Sequence, residues 1–213
     1  MEQTNPNNSQ QKQKIRGRWK LLAVLAVCAA PMIFSYLTYY VIKPQARTNF
    51  GTLIDPRAHP MPQLGATTLD AKPASLEAYK GKWVMLKVGP AACARDCMDQ
   101  MFAMQQVRSM TGKEMGRIER VWLVTDGAPL DTMLLRQLDG MRILRAPGAA
   151  VAAWLPPEPG AALEEGLWLI DPLGNLMMRF PKVRADAPES EKVQHYAKVK
   201  KDLGKLLKAS AIG

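Results

Sequence analysis

The residues of this sequence best suited to chemistry are Cys93 and Cys97, the only cysteines outside an apolar N-terminal segment. At the start of a helix, a C-x-x-x-C spacing places both sulfurs on one face, with Cα atoms about 6 Å apart, within the range of a disulfide. Such a pair can open and close, and its thiolates can also bind a metal ion. The spacing is also consistent with a static structural disulfide. We therefore treat both cysteines as candidate catalytic residues and candidate metal ligands.

The charges next to the pair act in opposite directions. The positive end of the helix and Arg95 favour a thiolate at Cys93, whereas Asp96 and Asp99 disfavour it. Because Cys93 lies in the turn and Cys97 one helical turn further in, we expect Cys93 to be the attacking thiol and Cys97 the resolving one.

The elements around the pair follow from hydrophobic periodicity and turn residues. Residues 83–89 form an apolar run typical of a buried strand, and Pro90 ends it. The other predicted elements are a helical turn at 75–79, a helix at 98–115, a strand at 121–124, a helix at 131–138, an apolar piece at 141–144, a loop at 146–162, a hairpin of strands 167–170 and 176–180, and a helix at 189–209. Strands that alternate with helices before an antiparallel pair indicate an α/β fold, with a mixed sheet flanked by helices.

Three segments resemble a known family: SLEAYKGKWVMLKVGPAACARDC, VWLVTD and LIDPLGNL. They are similar to the Sco/SenC proteins, which are thioredoxin-like cytochrome oxidase assembly factors and copper chaperones. The resemblance covers roughly residues 60–208. It implies a thioredoxin-like fold, copper binding and disulfide exchange at Cys93 and Cys97, and a cytochrome c oxidase subunit or another copper chaperone as a partner.

The sequence departs from this family at two positions. Ala94 stands where the family usually has Pro, and Leu163 stands where its copper-binding His is expected. The two histidines of the chain, His59 and His195, are interpreted as solvated surface residues rather than ligands. The resemblance therefore identifies a divergent member without the usual copper-binding His.

Three methionines follow the cysteines at helical spacing: Met98, Met101 and Met104. Thioethers can bind Cu(I), but methionines at this spacing more often fill a core. Copper is thus a possible cofactor, with no third ligand identified.

The N-terminal segment predicts a membrane anchor. The uncharged run 21–42 would span about 33 Å as a helix, enough to cross a bilayer. More basic residues precede it than follow it, so the positive-inside rule places the N-terminus in the cytoplasm and the rest outside. A cleaved signal peptide is disfavoured by the length of the run, and a lipoprotein signal ending at Cys28 by the bulk of Val27.

This gives four predicted regions: a disordered cytoplasmic tail at 1–20, a transmembrane anchor at 21–42, a Pro-rich tether with a leading strand at 43–74, and a thioredoxin-like domain at 75–213. We expect the protein in a bacterial plasma (inner) membrane, with the C-terminal domain in the periplasm.

The net charge of +10 does not indicate nucleic-acid binding. Much of the excess lies before the anchor and on the last helix, and no recognition motif accompanies it. The chain also lacks the motifs of phosphoryl, hydride and hydrolytic chemistry.

The leading hypothesis is a membrane-anchored protein that acts in respiratory oxidase assembly by thiol-disulfide exchange, which needs only the two cysteines. The alternatives are a Cu(I) metallochaperone with a reorganised site, and a non-catalytic docking module with a structural disulfide.

Overall fold

A computed structural model describes residues 6–42, 49–184 and 186–210. Residues 1–5, which belong to the predicted tail, and 43–48, which belong to the predicted tether, lie outside the described residues. The chain divides into an N-terminal unit and a C-terminal unit that begins at Asn49.

The N-terminal unit is one long helix, α1 (Pro6–Leu37), continued by a π-helical segment, Thr38–Ile42. The stretch Arg18–Val41 is long and apolar enough to cross a membrane. The helix begins at Pro6, well before the predicted anchor, so residues 6–20, expected as a disordered tail, are helical here.

The described residues of the C-terminal unit form six strands and four α-helices. In chain order they are β1 (Thr52–Leu53), β2 (Trp83–Gly89), α2 (Arg95–Ser109), β3 (Ile118–Val124), α3 (Thr132–Gln137), β4 (Arg142–Arg145), α4 (Gly148–Trp154), β5 (Leu167–Ile170), β6 (Leu176–Phe180) and α5 (Glu189–Ala209). Short 3-10 helices cover Leu76–Tyr79, Gly112–Arg117 and Leu163–Glu165.

The strands form one mixed sheet in the order β1-β6-β5-β2-β3-β4. β2 lies near its centre, parallel to β3 and antiparallel to β5. All seven residues of β2 are buried, which explains its nearly continuous apolar sequence. The predicted mixed sheet with flanking helices is confirmed.

Alternation along the strands sends side chains to two buried clusters. The α2-side cluster lies between the sheet and α2, α3 and α5, and includes Met85, Trp122, Leu169 and Leu203. The α4-side cluster lies on the opposite face and includes Leu86, Leu123, Trp154 and Trp168. Both sheet faces are therefore covered, as a central strand buried on two sides requires.

The hairpin and the last helix have the predicted bounds, and the hairpin turn shows why. Asp171 accepts hydrogen bonds from the backbone N–H groups of Leu173 and Asn175 at 3.0 and 2.7 Å. Gly174 has a positive φ of 95°, which a glycine adopts without a steric penalty.

Further predictions of secondary structure need correction. The segment 146–162, predicted as a loop, contains α4, because its alanines favour a helix and its Val151 and Trp154 bury one face together. The helix after the cysteines begins at Arg95 rather than 98, and α2 ends at Ser109 before a separate 3-10 helix.

A buried carboxylate binds the backbone at the start of the C-terminal unit. Asp202 of α5 is only 2% exposed. Its Oδ2 accepts hydrogen bonds from the backbone N–H groups of Phe50 and Gly51, at 2.6 and 3.0 Å, and its Oδ1 accepts one from Lys205. Gly51 fits tightly, since a Cβ there would lie 2.5 Å from Sδ of Met178.

We predict that Asp202→Ala destabilises the C-terminal unit by about 2 to 4 kcal/mol, because it leaves two backbone donors without their charged acceptor. Urea unfolding of the fragment 49–213 measures this. Asp202→Asn keeps an acceptor oxygen and serves as the matched control, with a clearly smaller loss. Equal stability of Asp202→Ala and the unmodified fragment would contradict the role of this contact.

Candidate thiol-disulfide site

The turn that carries the first cysteine is fixed by the parallel pairing of β2 and β3. Because both strands end at the same edge of the sheet, the segments that follow them meet there. The backbone N–H of Ala91 donates to Oδ1 of Asp126 at 3.0 Å, and that of Thr125 donates to the carbonyl of Gly89 at 3.1 Å. The turn is thus held by two hydrogen bonds, one of them to a side-chain carboxylate, before the chain reaches the cysteines.

Cys93 and Cys97 are joined in a disulfide, with Cα atoms 5.3 Å apart. The distance agrees with the value expected from the spacing. Both side chains are half-buried and pack against the α2-side cluster. The bond is therefore held by the core on one side and is open to solvent on the other, and a difference in accessibility between the two sulfurs stays a prediction.

The disulfide lies at the uncapped N-terminus of α2. Ala94 is the capping residue and supplies no side-chain acceptor to the first turn. The first backbone N–H groups of a helix have no partner within it, and they make this end electropositive. The end of α2 next to the sulfurs therefore favours negative charge, as a thiolate requires.

The charged side chains of the first turn are mostly exposed. Arg95 and Asp96 both lie at the surface. Asp99 is paired with Lys192 of α5 at 3.1 Å. This ion pair offsets the negative charge of Asp99, which the sequence had set against a thiolate.

The three methionines after the pair differ in burial. Met101 and Met104 are fully buried in the α2-side cluster, as the core interpretation predicted. Met98 is 38% exposed. Two of the three thioethers are thus packed in the core.

The structure does not bring the other candidate ligands to the pair. Leu163 begins a 3-10 helix and packs against the α4-side cluster. His59 is half-buried, with Nδ1 3.1 Å from the carbonyl oxygen of Trp154. His195 is also half-buried, its ring edge-on to Phe50, and burial followed by the charge of Lys198 lowers its pKa. Both histidine side chains therefore pack against other residues of the fold. This corrects the expectation that they are solvated.

No metal site is apparent from this arrangement. Within residues 6–42, 49–184 and 186–210, no group of three or more His, Cys, Asp or Glu side chains is placed to hold a metal ion. The described residues thus supply the two cysteines and no third ligand of these types.

Sequence reasoning missed a buried lysine in the central strand. Lys87 of β2 is 2% exposed, and its Nζ donates a hydrogen bond to the backbone carbonyl of Glu164. Burial, partly offset by the carboxylates of Glu164 and Glu165, lowers the pKa of Lys87 to about 8. The signal was present, since a lysine inside the apolar run WVMLKVG must be buried if the run is a central strand.

Each of the two units matches a known family. Residues 83–210 match the family described as transmembrane-like, thioredoxin-like, C-terminal domain. The chain belongs to this family. Residues 11–41 match the corresponding transmembrane-like N-terminal domain, so the anchor-like helix and the cysteine domain are both parts of this transmembrane-like thioredoxin family. No curated protein matches the chain.

Several solved structures are similar to this chain. Apo Sco1 from Thermus thermophilus has a TM-score of 0.48 at 14% identity, over 78% of this chain and 98% of that one. A SCO1/SenC family lipoprotein from Bacillus anthracis has 0.46 at 16%, over 76% and 98%. A thiol:disulfide interchange protein from Chlorobium tepidum has 0.45 at 16%, over 76% and 93%. Sco proteins are thus among the structures to which this chain is similar.

The buried lysine predicts an unusual pH dependence of stability. Because the folded pKa of Lys87 is about 8 and its ordinary value is 10.5, the unfolded chain binds more protons between these values. The free energy of unfolding should therefore rise with pH from 8 to 10, by at most about 1.4 kcal/mol per pH unit. Above pH 10 the opposite effect of Tyr196, whose pKa burial raises to about 12, begins.

Urea unfolding of the fragment 49–213 at several pH values between 7 and 10 measures this rise. Lys87→Met should remove it. Lys82→Met is the matched control, because Lys82 is largely exposed and paired with Glu119, and it should keep the rise. The same pH dependence in the Lys87→Met variant would show that Lys87 is not its source.

Proposed function

We propose that this protein is a membrane-anchored, extracytoplasmic thiol-disulfide exchange protein that acts in the assembly of cytochrome c oxidase. The observation that carries the proposal is the half-exposed Cys93–Cys97 disulfide at the uncapped N-terminus of α2. A disulfide in this position can be reached from solvent, and the helix end stabilises the thiolate that forms when it opens.

The proposed exchange conserves atoms and electrons. A thiolate of the partner attacks Sγ of Cys93, a new S–S bond forms, the Cys93–Cys97 bond breaks, and its electron pair stays on Sγ of Cys97. Attack by the thiolate of Cys97 on the mixed disulfide reverses the step. In the other direction, reduced Cys93 attacks a disulfide of the partner, and Cys97 then releases the reduced partner.

A purely structural disulfide is the weaker explanation of the pair. The stabilisation by a cross-link increases with the logarithm of the number of residues in the loop that it closes. A loop of about five residues gives only about 2 kcal/mol from chain entropy. The surrounding turn is already anchored through Ala91 and Gly89. The disulfide therefore adds little stability to a turn that these hydrogen bonds already hold.

The place of this exchange in respiratory oxidase assembly rests on the resemblance of the sequence to Sco/SenC proteins. An oxidase subunit or a copper chaperone would then be the partner whose cysteines are exchanged. Copper binding by Cys93 and Cys97 stays a prediction, and the exchange does not depend on it.

The proposed location is a bacterial inner membrane, with the cysteine domain in the periplasm. It is supported by the helix Arg18–Val41 and by the basic residues before it, which favour a cytoplasmic N-terminus. A periplasmic domain would meet an oxidising environment, in which disulfides form and persist.

The orientation gives a direct prediction. A reporter enzyme that is active only outside the cytoplasm should be active when fused after Gly213. The same reporter fused directly before Met1 is the control and should be inactive. Activity of a strictly cytoplasmic reporter after Gly213 would contradict the proposed topology.

The exchange predicts unequal roles for the two cysteines. Cys97→Ser should trap mixed disulfides with a membrane partner, because Cys93 can attack but nothing resolves the product. Cys93→Ser should trap few, and the double variant none. Non-reducing gel electrophoresis after rapid acid quenching measures the trapped species. If neither single variant captures a partner, the docking module with a static disulfide is the better explanation.

A further inference from the structure

Lys87 is a buried charge for which the fold supplies little compensation. Three charged side chains are buried among the described residues: Lys87, Arg120 and Asp202. Asp202 has an ion-pair partner, Lys205, and two backbone donors. Lys87 forms no ion pair with a carboxylate in the described part of the chain, and its Nζ donates to the carbonyl oxygen of Glu164. Since an apolar side chain of similar length would fill the site at lower cost, packing alone does not explain a lysine there.

The position of Lys87 in the sheet places its side chain on the face that carries the disulfide. Lys87 is paired with Trp122 across β3 and with Leu167 across β5. Both partners belong to the α2-side cluster, and directly paired residues point to the same face. Cys93 and Cys97 pack against this same cluster. The amine and the disulfide therefore share one apolar layer.

The segment that binds Lys87 runs alongside the end of β2. A Cβ added to Gly89 would lie 3.6 Å from Cγ of Glu164, so Glu164 lies beside the residue that leads into the cysteine turn. A small cavity of about 10 Å³ is bordered by Glu165, Leu167 and Gln100, which lies one helical turn after Cys97. The Oε1 atom of Gln100 is buried and has no hydrogen-bond partner within the described structure. These contacts connect the surroundings of Lys87 with the first turns of α2.

We propose that Lys87 is a positioning residue for disulfide exchange, and that its buried ammonium group stabilises the thiolate released when the Cys93–Cys97 bond opens. The inference rests on the proposed exchange function. In that step an incoming thiolate forms a bond to one Sγ, the disulfide breaks, and the electron pair and negative charge pass to the other Sγ. In an apolar layer a positive charge acts over a longer distance than in water, because little water screens it.

The charge of Lys87 makes this stabilisation dependent on pH. With a pKa of about 8, Lys87 is mostly charged at pH 7 and mostly neutral at pH 9.5. The charged groups that face it are Glu164 and Glu165 from the 3-10 helix and Lys182 after β6. The titratable groups of α5 at the adjoining cavity are His195 and Tyr196.

The first test is the redox equilibrium of the full-length protein in detergent micelles with glutathione, at pH 7 and pH 9.5. Lys87→Met should shift the equilibrium at pH 7 about tenfold towards the disulfide, which is about 30 mV in potential. The shift should shrink at pH 9.5, and the control Lys82→Met should show none. A Lys87→Met potential equal to that of the unmodified protein at both pH values, or a shift of equal size at both, would overturn the proposal.

A second test needs no variant and therefore does not depend on the folding of Lys87→Met. The pKa of Lys87 is measured by NMR in the unmodified protein, before and after reduction with a phosphine. By reciprocity, a thiolate that Lys87 stabilises must raise the pKa of Lys87. An unchanged pKa overturns the inference. A raised pKa in a protein that glutathione cannot reduce would support the role of Lys87 while contradicting the proposed function. The experiment thus separates failure of the Lys87 inference from failure of the exchange function.

Discussion

The candidate site depends on the two-sided pairing of β2. This strand bonds to β3 in parallel and to β5 in antiparallel orientation, and every one of its residues is buried. Parallel pairing makes β2 and β3 end together, which lets Asp126 bind Ala91 and Gly89 bind Thr125. The cysteine turn is thereby held where α2 begins. A disulfide that must open and close repeatedly needs such a support, because its own bond cannot be what keeps the turn in place.

The same burial sets the chemistry available to the sulfurs. On the inner side, the disulfide packs on the α2-side cluster, where charge is costly unless another charge balances it. On the outer side, the uncapped end of α2 is electropositive and open to solvent. Lys87 adds a titratable positive charge to the inner side. A thiolate formed here would then be favoured from both sides, which is the environment of a reactive rather than an inert cysteine pair.

Much of this fold could be predicted from the sequence because its signals are local. The apolar run of β2, the D-P-L-G-N hairpin turn and the long α5 are all encoded within short stretches, and the structure confirms them. The helix α4 was missed because an alanine-rich segment with flanking prolines gives a weak local signal, and burial of Trp154 against the sheet decides its structure. The long-range contacts were not predictable in this way. Lys87 with Glu164, and Asp202 with Phe50, join residues far apart in sequence, and only the fold shows these contacts.

The central claim is that Cys93 and Cys97 form an exchange-active pair, and its reduction potential tests this most directly. We would measure it by equilibrating the full-length protein with glutathione buffers and separating reduced from oxidised forms after alkylation. Exchange-active pairs have potentials between roughly −270 and −120 mV, whereas structural disulfides of secreted proteins typically lie below about −300 mV. We expect a value in the higher range for Cys93 and Cys97. A potential below about −300 mV would contradict it and would leave the pair as a structural disulfide.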